Sequence, residues 1–221
     1  MSIHELATRM AAYIGREVEA DRLQELRMAF GLELILGDIV KLIFILTLAQ
    51  LLGILQEVLV LMAAAGMLRL ASGGEHCSAY YRCLLGGTIC FLLLGWLVHY
   101  LNPLIAGQAV FVTALLSFLL TEIILWKYAP GDTENKPITE AADKKRFKNW
   151  SLLLGFIYFM IMLICAGFNS ASAFVLPVAV GMLEQAFTVT PWGYRFMHIV
   201  DQVLDFSKWG GKTDGIEDSG R

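Results

Sequence analysis

The segment Arg69-Leu-Ala-Ser-Gly-Gly-Glu-His76-Cys-Ser-Ala-Tyr-Tyr-Arg-Cys83-Leu is the part of the sequence on which the interpretation of the fold depends. It is polar, contains two adjacent glycines and separates two long apolar stretches. It also places a histidine and a cysteine, His76 and Cys83, seven residues apart. Long apolar stretches with a short polar connection are typical of helices that cross a membrane and turn at its surface. We therefore expect this segment to lie at a lipid boundary and to carry the chemistry of the protein.

The composition favours a membrane protein. Of the 221 residues, 57% are hydrophobic and 17% are charged, whereas soluble domains of this size are about 25% charged. The charged residues cluster in a few segments, which predicts several membrane-spanning helices rather than a soluble domain with a large core. The first 30 residues lack the short apolar core and small-residue cleavage site of a signal peptide.

Six apolar stretches indicate an all-α, polytopic helical membrane protein. We predict one helical segment for each stretch and expect four to six of them to span the membrane. The range reflects their lengths, because several are shorter than the roughly 20 residues that a spanning helix needs. The stretches cover residues 31–53, 55–70, 84–100, 104–126, 150–168 and 170–188.

The N-terminal segment, residues 1–30, is predicted to form an amphipathic helix at the cytoplasmic interface. Apolar residues recur at helical spacing from Ile3 to Val18. Ser2 is a candidate cap, with Glu5 completing a capping box. Such a helix either lies on the membrane surface or packs against other helices, and the sequence leaves both alternatives open.

The distribution of Lys and Arg predicts the orientation in the membrane. Basic residues precede the first apolar stretch, flank the 69–83 loop, fill the loop at 127–149 and recur in the tail at 189–221. The alternate connections contain neither Lys nor Arg. The positive-inside rule therefore places both termini and the 69–83 loop in the cytoplasm, with residues 31–188 forming the transmembrane domain of a multi-pass membrane protein. Lys41 is the one basic residue left inside a predicted span.

The spacing of His76 and Cys83 has a chemical consequence. Seven residues of unbroken helix would separate them by about 10.5 Å along the axis, too far for a direct hydrogen bond. Gly73-Gly74 permits a sharp turn, and Ser78 is a candidate N-cap for a helix that continues through Cys83. His76 would then fold back towards the sulfur. A thiol beside a helix start and an imidazolium is activated as a nucleophile, which is the chemistry of a cysteine peptidase.

Other interpretations of this loop remain open. A histidine and a cysteine at this spacing can be incidental, and Cys77 is a rival nucleophile. We disfavour a metal site built from His76, Cys77 and Cys83, with His99 as a remote fourth ligand, because the spacing fits no closed tetrahedral pattern. A different class of function is a small membrane transporter or scaffold, in which the loop is structural and Glu33, Asp38 and Lys41 line a pathway.

The pattern Arg69-x4-Gly74-x-His76-x-Ser78-x4-Cys83 resembles the signature of the accessory gene regulator B (AgrB) family. The members of this family are membrane peptidases of peptide quorum sensing in Gram-positive bacteria. A second similarity is Tyr128-Ala-Pro-Gly-Asp-Thr-Glu-Asn-Lys-Pro-Ile138 followed by a basic run, and a third is Gly31-Leu-Glu33 with Lys41. Together the three similarities cover most of the chain in the order expected for the family.

The resemblance implies a specific reaction. The family cleaves a propeptide, AgrD, that has an amphipathic N-terminal helix, a central signal segment with a cysteine, and an acidic C-terminal tail. Its histidine and cysteine match His76 and Cys83. The cysteine forms an acyl-enzyme thioester, and the substrate's own cysteine then closes a cyclic thiolactone, or a lactone if the closing group is a hydroxyl. The expected partners are an AgrD-like propeptide, membrane lipid and a second copy in a homodimer. We expect no cofactor, no metal and no nucleic acid.

Further residues are expected to support this site. Arg69 is predicted either to bind the acidic tail or stabilise the oxyanion, or to be a plain interfacial anchor. Asp38 and Lys41 have the spacing of a pair on one helix face, and ionisable groups in a span are functional candidates by default. Glu33 is expected to orient His76 or to contact the substrate. The complete supporting set is Glu33, Lys41, Arg69, Gly73, Gly74 and Ser78.

Overall fold

The structure is a computed structural model that describes residues 3–74, 80–131, 140–168 and 172–205. The described part of the chain contains α-helices and short 3₁₀ turns but no strand, which confirms the all-α prediction. The helices are α1 (Ile3–Glu17), α2 (Arg22–Leu51), α3 (Leu55–Ser72), α4 (Tyr80–Leu101), α5 (Gln108–Tyr128), α6 (Ala141–Gly167), α7 (Val175–Thr188) and α8 (Pro191–Val203).

The predicted helical segments correspond to α2 through α7. Among the described residues, four helices are long and apolar enough to cross a membrane: α3, α4 with the 3₁₀ turn that follows it, α5 and α6. Helices α7 and α8 meet at an angle of 85° and make a fifth span if the pair is counted as one. The structure thus confirms a polytopic, all-α membrane protein.

One predicted boundary was wrong. The loop at 127–149 is shorter than predicted because α6 begins at Ala141, so the basic run from Lys144 to Lys148 is helical. Alanine, lysine and arginine are good helix formers, and they extend the apolar helix beyond its membrane part. In the 69–83 segment, α3 extends to Ser72, and α4 starts at Tyr80 and runs through Cys83 as predicted.

The N-terminal segment forms a helical hairpin instead of the single helix that was predicted. Helix α1 ends at Glu17, and α2 starts after Asp21, whose side chain accepts a hydrogen bond from the backbone N–H of Gln24. The Gln24 side chain accepts one in return from the backbone N–H of Asp21, which completes a capping box. The small residues of α1 are buried where it packs against α2: Ala7, Ala11 and Gly15. Whether the segment also lies on the membrane surface stays a prediction. The predicted cap, Ser2, lies outside the described residues.

The helix bundle has two ends that differ in charge. At what we call the loop end, the backbone N–H of Gly131, just after α5, donates to the carbonyl of Ser72 at 2.7 Å. At the opposite end, His99 of α4 lies 2.7 Å from Glu57 of α3, and Asn102 donates to the carbonyl of Ala173. Because successive helices alternate in direction, the basic residues of the connections gather at the loop end. They include Arg69, Arg82, Lys127 and the run from Lys144 to Lys148.

Helices α3 and α7 form the centre of the bundle. A Cβ atom added to Gly181 of α7 would lie 2.5 Å from the Leu61 carbonyl of α3, so glycine is what lets the two backbones touch. The Tyr158 hydroxyl of α6 donates to the carbonyl of Ala64, which ties a third helix to α3. This packing fixes the C-terminal end of α7, from Glu184 to Thr188, beside the end of α3 at the loop end.

Candidate active site

Cys83 lies in the first turn of α4 and contacts a lysine from α2. The Lys41 ammonium donates to Cys83 Sγ with an Nζ–Sγ distance of 3.3 Å, and both side chains are half-buried. A cation next to a sulfur at the beginning of a helix is a setting that stabilises a thiolate. Lys41 was predicted only as a supporting residue, and the pair with Asp38 does not form within the described part of the chain, because the ammonium faces Cys83.

The position of Lys41 depends on a glycine one turn along α4. A Cβ atom added to Gly87 would lie 2.9 Å from Lys41 Cε and 3.1 Å from Nζ, so a larger residue would displace the lysine. Cys83 and Gly87 are four residues apart and share a helix face. The lysine side chain therefore crosses α4 where glycine leaves room.

A second contact fixes the register of α2 against α4. The Tyr80 hydroxyl donates to the carbonyl of Gly37 at 2.8 Å, and the absence of a side chain at Gly37 makes room for the tyrosine ring. Gly37 lies one turn before Lys41, and Tyr80 lies one turn before Cys83. The two contacts are therefore adjacent along both helices, and together they hold the ammonium beside the sulfur.

The start of α4 is also tied to α8. Arg82 forms two ion pairs, from Nη1 to Asp201 at 2.9 Å and from Nη2 to Asp205 at 2.8 Å. All three side chains are at most 20% exposed. A guanidinium that bridges two carboxylates through separate nitrogens holds its geometry better than a single exposed pair does. The sequence predicted Arg82 only as one of the basic residues that set the orientation in the membrane. In the structure its ion pairs anchor the start of α4, directly before Cys83.

Arg69 takes part in a buried network at the end of α3. Its Nη1 donates to Gln185 Oε1 at 3.3 Å, and Gln185 Nε2 donates to Ser72 Oγ at 2.9 Å and to the carbonyl of Gly73 at 2.8 Å. Gln185 is 1% exposed, so these bonds replace water for a buried amide. The roles predicted for Arg69 towards substrate stay predictions.

The predicted glycine turn is present. Gly73 and Gly74 have φ angles of +69° and +127°, a region that residues with a side chain rarely adopt. The turn is also crowded, since a Cβ atom at Gly74 would lie 3.1 Å from Thr188 Oγ1 and one at Gly73 would lie 2.5 Å from the Gly131 carbonyl. Both glycines are therefore required for the direction in which the chain leaves α3.

Some predicted residues lie elsewhere or cannot be placed. His76, Cys77 and Ser78 lie outside the described residues, so the catalytic pair, the rival nucleophile and the cap stay predictions. Glu33 contacts His4 Nδ1 at 2.9 Å and precedes Lys41 by eight residues, or about 12 Å of helix. His99 pairs with Glu57 at the opposite end, and the described residues include no cluster of three or more metal-ligand side chains.

Sequence analysis missed two residues of α7, Glu184 and Gln185. Glu184 is half-buried and within electrostatic range of Arg69 and Lys41, whereas Gln185 bonds directly to Arg69, Ser72 and Gly73. Glu184 could have been found from the sequence, because an ionisable residue within an apolar segment is a functional candidate. This criterion selected residues in the first apolar stretch but was not used for the stretch at 170–188.

Comparisons with known proteins identify the family of the chain. The family model for accessory gene regulator B matches residues 7–189. An AgrB-like protein 2 from Clostridium perfringens (strain 13 / Type A) is 27% identical over 90% of this chain and 96% of its own length. The accessory gene regulator protein B of Staphylococcus aureus (strain MRSA252) is 27% identical over 83% of this chain and 92% of its own. No solved structure matches the chain significantly. Because the family model covers most of the sequence, the chain belongs to the accessory gene regulator B family.

Proposed function

We propose that this protein is a membrane cysteine endopeptidase that removes the acidic C-terminal tail of an AgrD-like propeptide and lets the remaining signal segment cyclise. Family membership implies a role in accessory gene regulation and quorum sensing, with a peptide partner. The observation that carries the finer proposal is the contact between Lys41 Nζ and Cys83 Sγ at the start of α4. A half-buried thiol beside a cation is the setting of a nucleophile rather than of a structural cysteine.

The first step is acyl transfer to Cys83. His76 takes the thiol proton, and the thiolate attacks the carbonyl at the end of the signal segment. The tetrahedral intermediate collapses, the peptide bond breaks, and the new amine of the tail takes the proton from His76. The products are a free acidic tail and a thioester between the signal segment and Cys83.

The second step is cyclisation. The substrate's own cysteine loses its proton to His76 and attacks the thioester carbonyl, so that the acyl group moves to the substrate sulfur and Cys83 leaves as a thiolate. Exchange of one thioester for another is nearly isoenergetic, so ring closure has to be faster than hydrolysis. A site at the lipid boundary favours this outcome, because water is scarce there.

The loop end of the bundle carries charge that suits the tail of the substrate. Arg69 and the helical run from Lys144 to Lys148 are basic, and the tail of the propeptide is acidic. A groove of about 370 Å³ lies between α3 and α6 and is lined by mostly apolar residues together with one basic and one acidic residue: Leu70, Ala71, Asp143, Arg146, Phe147, Trp150 and Leu154. This groove is our candidate for docking of the propeptide.

Reconstitution with a synthetic propeptide tests the proposal. The purified protein in lipid vesicles is incubated with a peptide that has an amphipathic helix, a central cysteine and an acidic tail, and the products are identified by mass spectrometry. We expect a released tail and a signal fragment lighter by one water than the hydrolysed fragment. Both products should be absent for Cys83→Ala and His76→Ala and present for Cys77→Ala. Loss of activity in Cys77→Ala with retention in Cys83→Ala would identify Cys77 as the nucleophile and contradict the proposal.

A further inference from the structure

We propose that Lys41 is the counter-cation of the Cys83 thiolate, delivered across the helix interface by α2 into the space that Gly87 leaves open. This inference rests on the proposed function, because only a cysteine that reacts as a thiolate needs such a partner. It adds to the imidazole–thiol pair a cation that comes from a different helix. Lys41 is then a catalytic residue, whereas Gly87 positions it.

The geometry singles out Lys41 from the other lysines. The 3.3 Å contact between Nζ and Sγ joins residues that are 42 positions apart. It lies between two helices whose register is independently fixed by the bond from Tyr80 to Gly37. The absence of a side chain at Gly87 leaves space for the lysine and no more, since a Cβ atom there would be 3.1 Å from Nζ. The lysine is therefore limited by Gly87 on one side, and its ammonium faces the sulfur of Cys83.

Titratable groups from three helices lie around Lys41. From α4, Cys83 Sγ lies 3.3 Å from its nitrogen, and Cys90 is within electrostatic range. From α7, the half-buried Glu184 is within electrostatic range of Lys41 and Arg69, and Asp38 of α2 acts on the neighbouring Tyr80. A positive charge in a half-buried setting is costly without a partner, and the Cys83 thiolate supplies one when it forms.

The same cation would act in both chemical steps. When His76 removes the thiol proton, negative charge appears on Cys83 Sγ next to the ammonium, and Lys41 remains protonated. In the acyl-enzyme this charge is absent. When the substrate's sulfur attacks, the bond between the carbonyl carbon and Sγ breaks, its electron pair returns to Sγ, and the ammonium stabilises the leaving thiolate. His76 therefore transfers the proton, and Lys41 stabilises the negative charge on Cys83 Sγ.

The alkylation rate of Cys83 tests this division directly, since a thiolate reacts with iodoacetamide and a thiol does not. The full chain with Cys77, Cys90 and Cys165 replaced by alanine is reconstituted in vesicles, and alkylation is followed by mass spectrometry as a function of pH. We expect Lys41→Met to lower the rate at neutral pH about tenfold or more, and to move the half-maximal rate to higher pH, because an opposite charge at this distance changes ionisation about ten- to a thousandfold. Lys41→Arg should keep most of the rate.

Matched variants show whether an effect on the alkylation rate comes from misfolding. Lys127→Met removes a lysine at the loop end that lies over the Tyr128 ring, and it should leave the alkylation profile of Cys83 unchanged. Gly87→Ala keeps the charge but displaces it, so it should lower the rate partially. Gly66→Ala is its control, since a Cβ atom at Gly66 meets nothing within 4 Å. An alkylation profile for Lys41→Met that coincides with that of the parent chain would overturn the inference.

The propeptide assay, run on the same samples, separates this inference from the proposed function. If cleavage requires Cys83 but the alkylation rate does not depend on Lys41, the proposed peptidase function is supported and the proposed role of Lys41 is wrong. If no cleavage occurs but alkylation depends on Lys41, the pairing of ammonium and thiolate stands and the proposed reaction is wrong. Slower alkylation together with slower cleavage in Lys41→Met, with Lys127→Met unaffected, supports both.

Discussion

Gly73 and Gly74 show how single residues define the site. Their positive φ angles and their contacts with Gly131 and Thr188 were predictable only in part. Two adjacent glycines after an apolar helix indicate a turn, which the sequence predicted. What they approach could not be predicted, because Gly131 and Thr188 are distant in the chain and are brought close only by the packing of α5 and α7 against α3.

Substitution of Gly74 should therefore disrupt the site. Gly74→Ala combines an unfavourable φ of +127° with a Cβ atom 3.1 Å from Thr188 Oγ1, so we expect a loss of about 1–2 kcal/mol of local stability and a large loss of propeptide cleavage. Gly31→Ala, at an α2 position with nothing within 4 Å of the added atom, is the control. Cleavage at the parental rate by Gly74→Ala would show that the turn is not needed.

The amide of Gln185 should contribute to the stability of the bundle. Gln185→Leu removes the donor for Ser72 Oγ and for the Gly73 carbonyl, and it leaves these polar atoms without that partner. We expect a cost of about 1–3 kcal/mol, seen as a lower unfolding temperature in detergent. Gln50→Leu, at an exposed position on α2, should change the unfolding temperature little. Equal effects of the two substitutions would contradict the network.

At the scale of elements, the helices were predictable but their ends and partners were not. The apolar stretches correspond to α2 through α7, because a run of this length has no other way to satisfy its backbone in lipid. The break between α1 and α2 was missed although Asp21 and Gln24 form a recognisable capping pair, since apolar spacing continues on both sides of it. Contacts such as Lys41 with Cys83 depend on the register between helices, which no local pattern encodes.

The ion pairs of Arg82 should hold α8 against α4. Arg82→Met removes the guanidinium that bridges Asp201 and Asp205, so we expect faster hydrogen exchange of the α8 backbone, Pro191–Val203, and a lower rate of cleavage. Arg195→Met removes an arginine that stacks on Trp192 within α8, and it should have a smaller effect on exchange. Unchanged exchange in Arg82→Met would mean that the 85° bend, rather than the ion pairs, fixes α8.

At the scale of the whole molecule, alternating helix directions gather the basic residues and the candidate site at one end of the bundle. The positive-inside rule then predicts that this loop end faces the cytoplasm. The sequence could predict this side, because the rule needs only the order of apolar stretches and basic connections. It could not predict that Gln185 of α7 bonds to Ser72 and Gly73, because that contact depends on how the helices pack.

Labelling of single cysteines tests the orientation. In a chain without native cysteines, Leu104→Cys at the opposite end should react with a membrane-impermeant maleimide in intact cells. Glu140→Cys, exposed at the loop end just before α6, should react only after permeabilisation. The reverse pattern would place the candidate site on the outer side and contradict cytoplasmic processing of the propeptide.

The central claim is that Cys83 becomes acylated by the signal segment, and trapping of that species tests it most directly. A propeptide whose central cysteine is replaced by alanine can undergo the first step but not the cyclisation. Intact-protein and peptide mass spectrometry should then find the propeptide without its tail attached to Cys83 as a thioester that hydroxylamine cleaves. Release of the tail without an adduct on Cys83, or with the adduct on Cys77, would contradict the account.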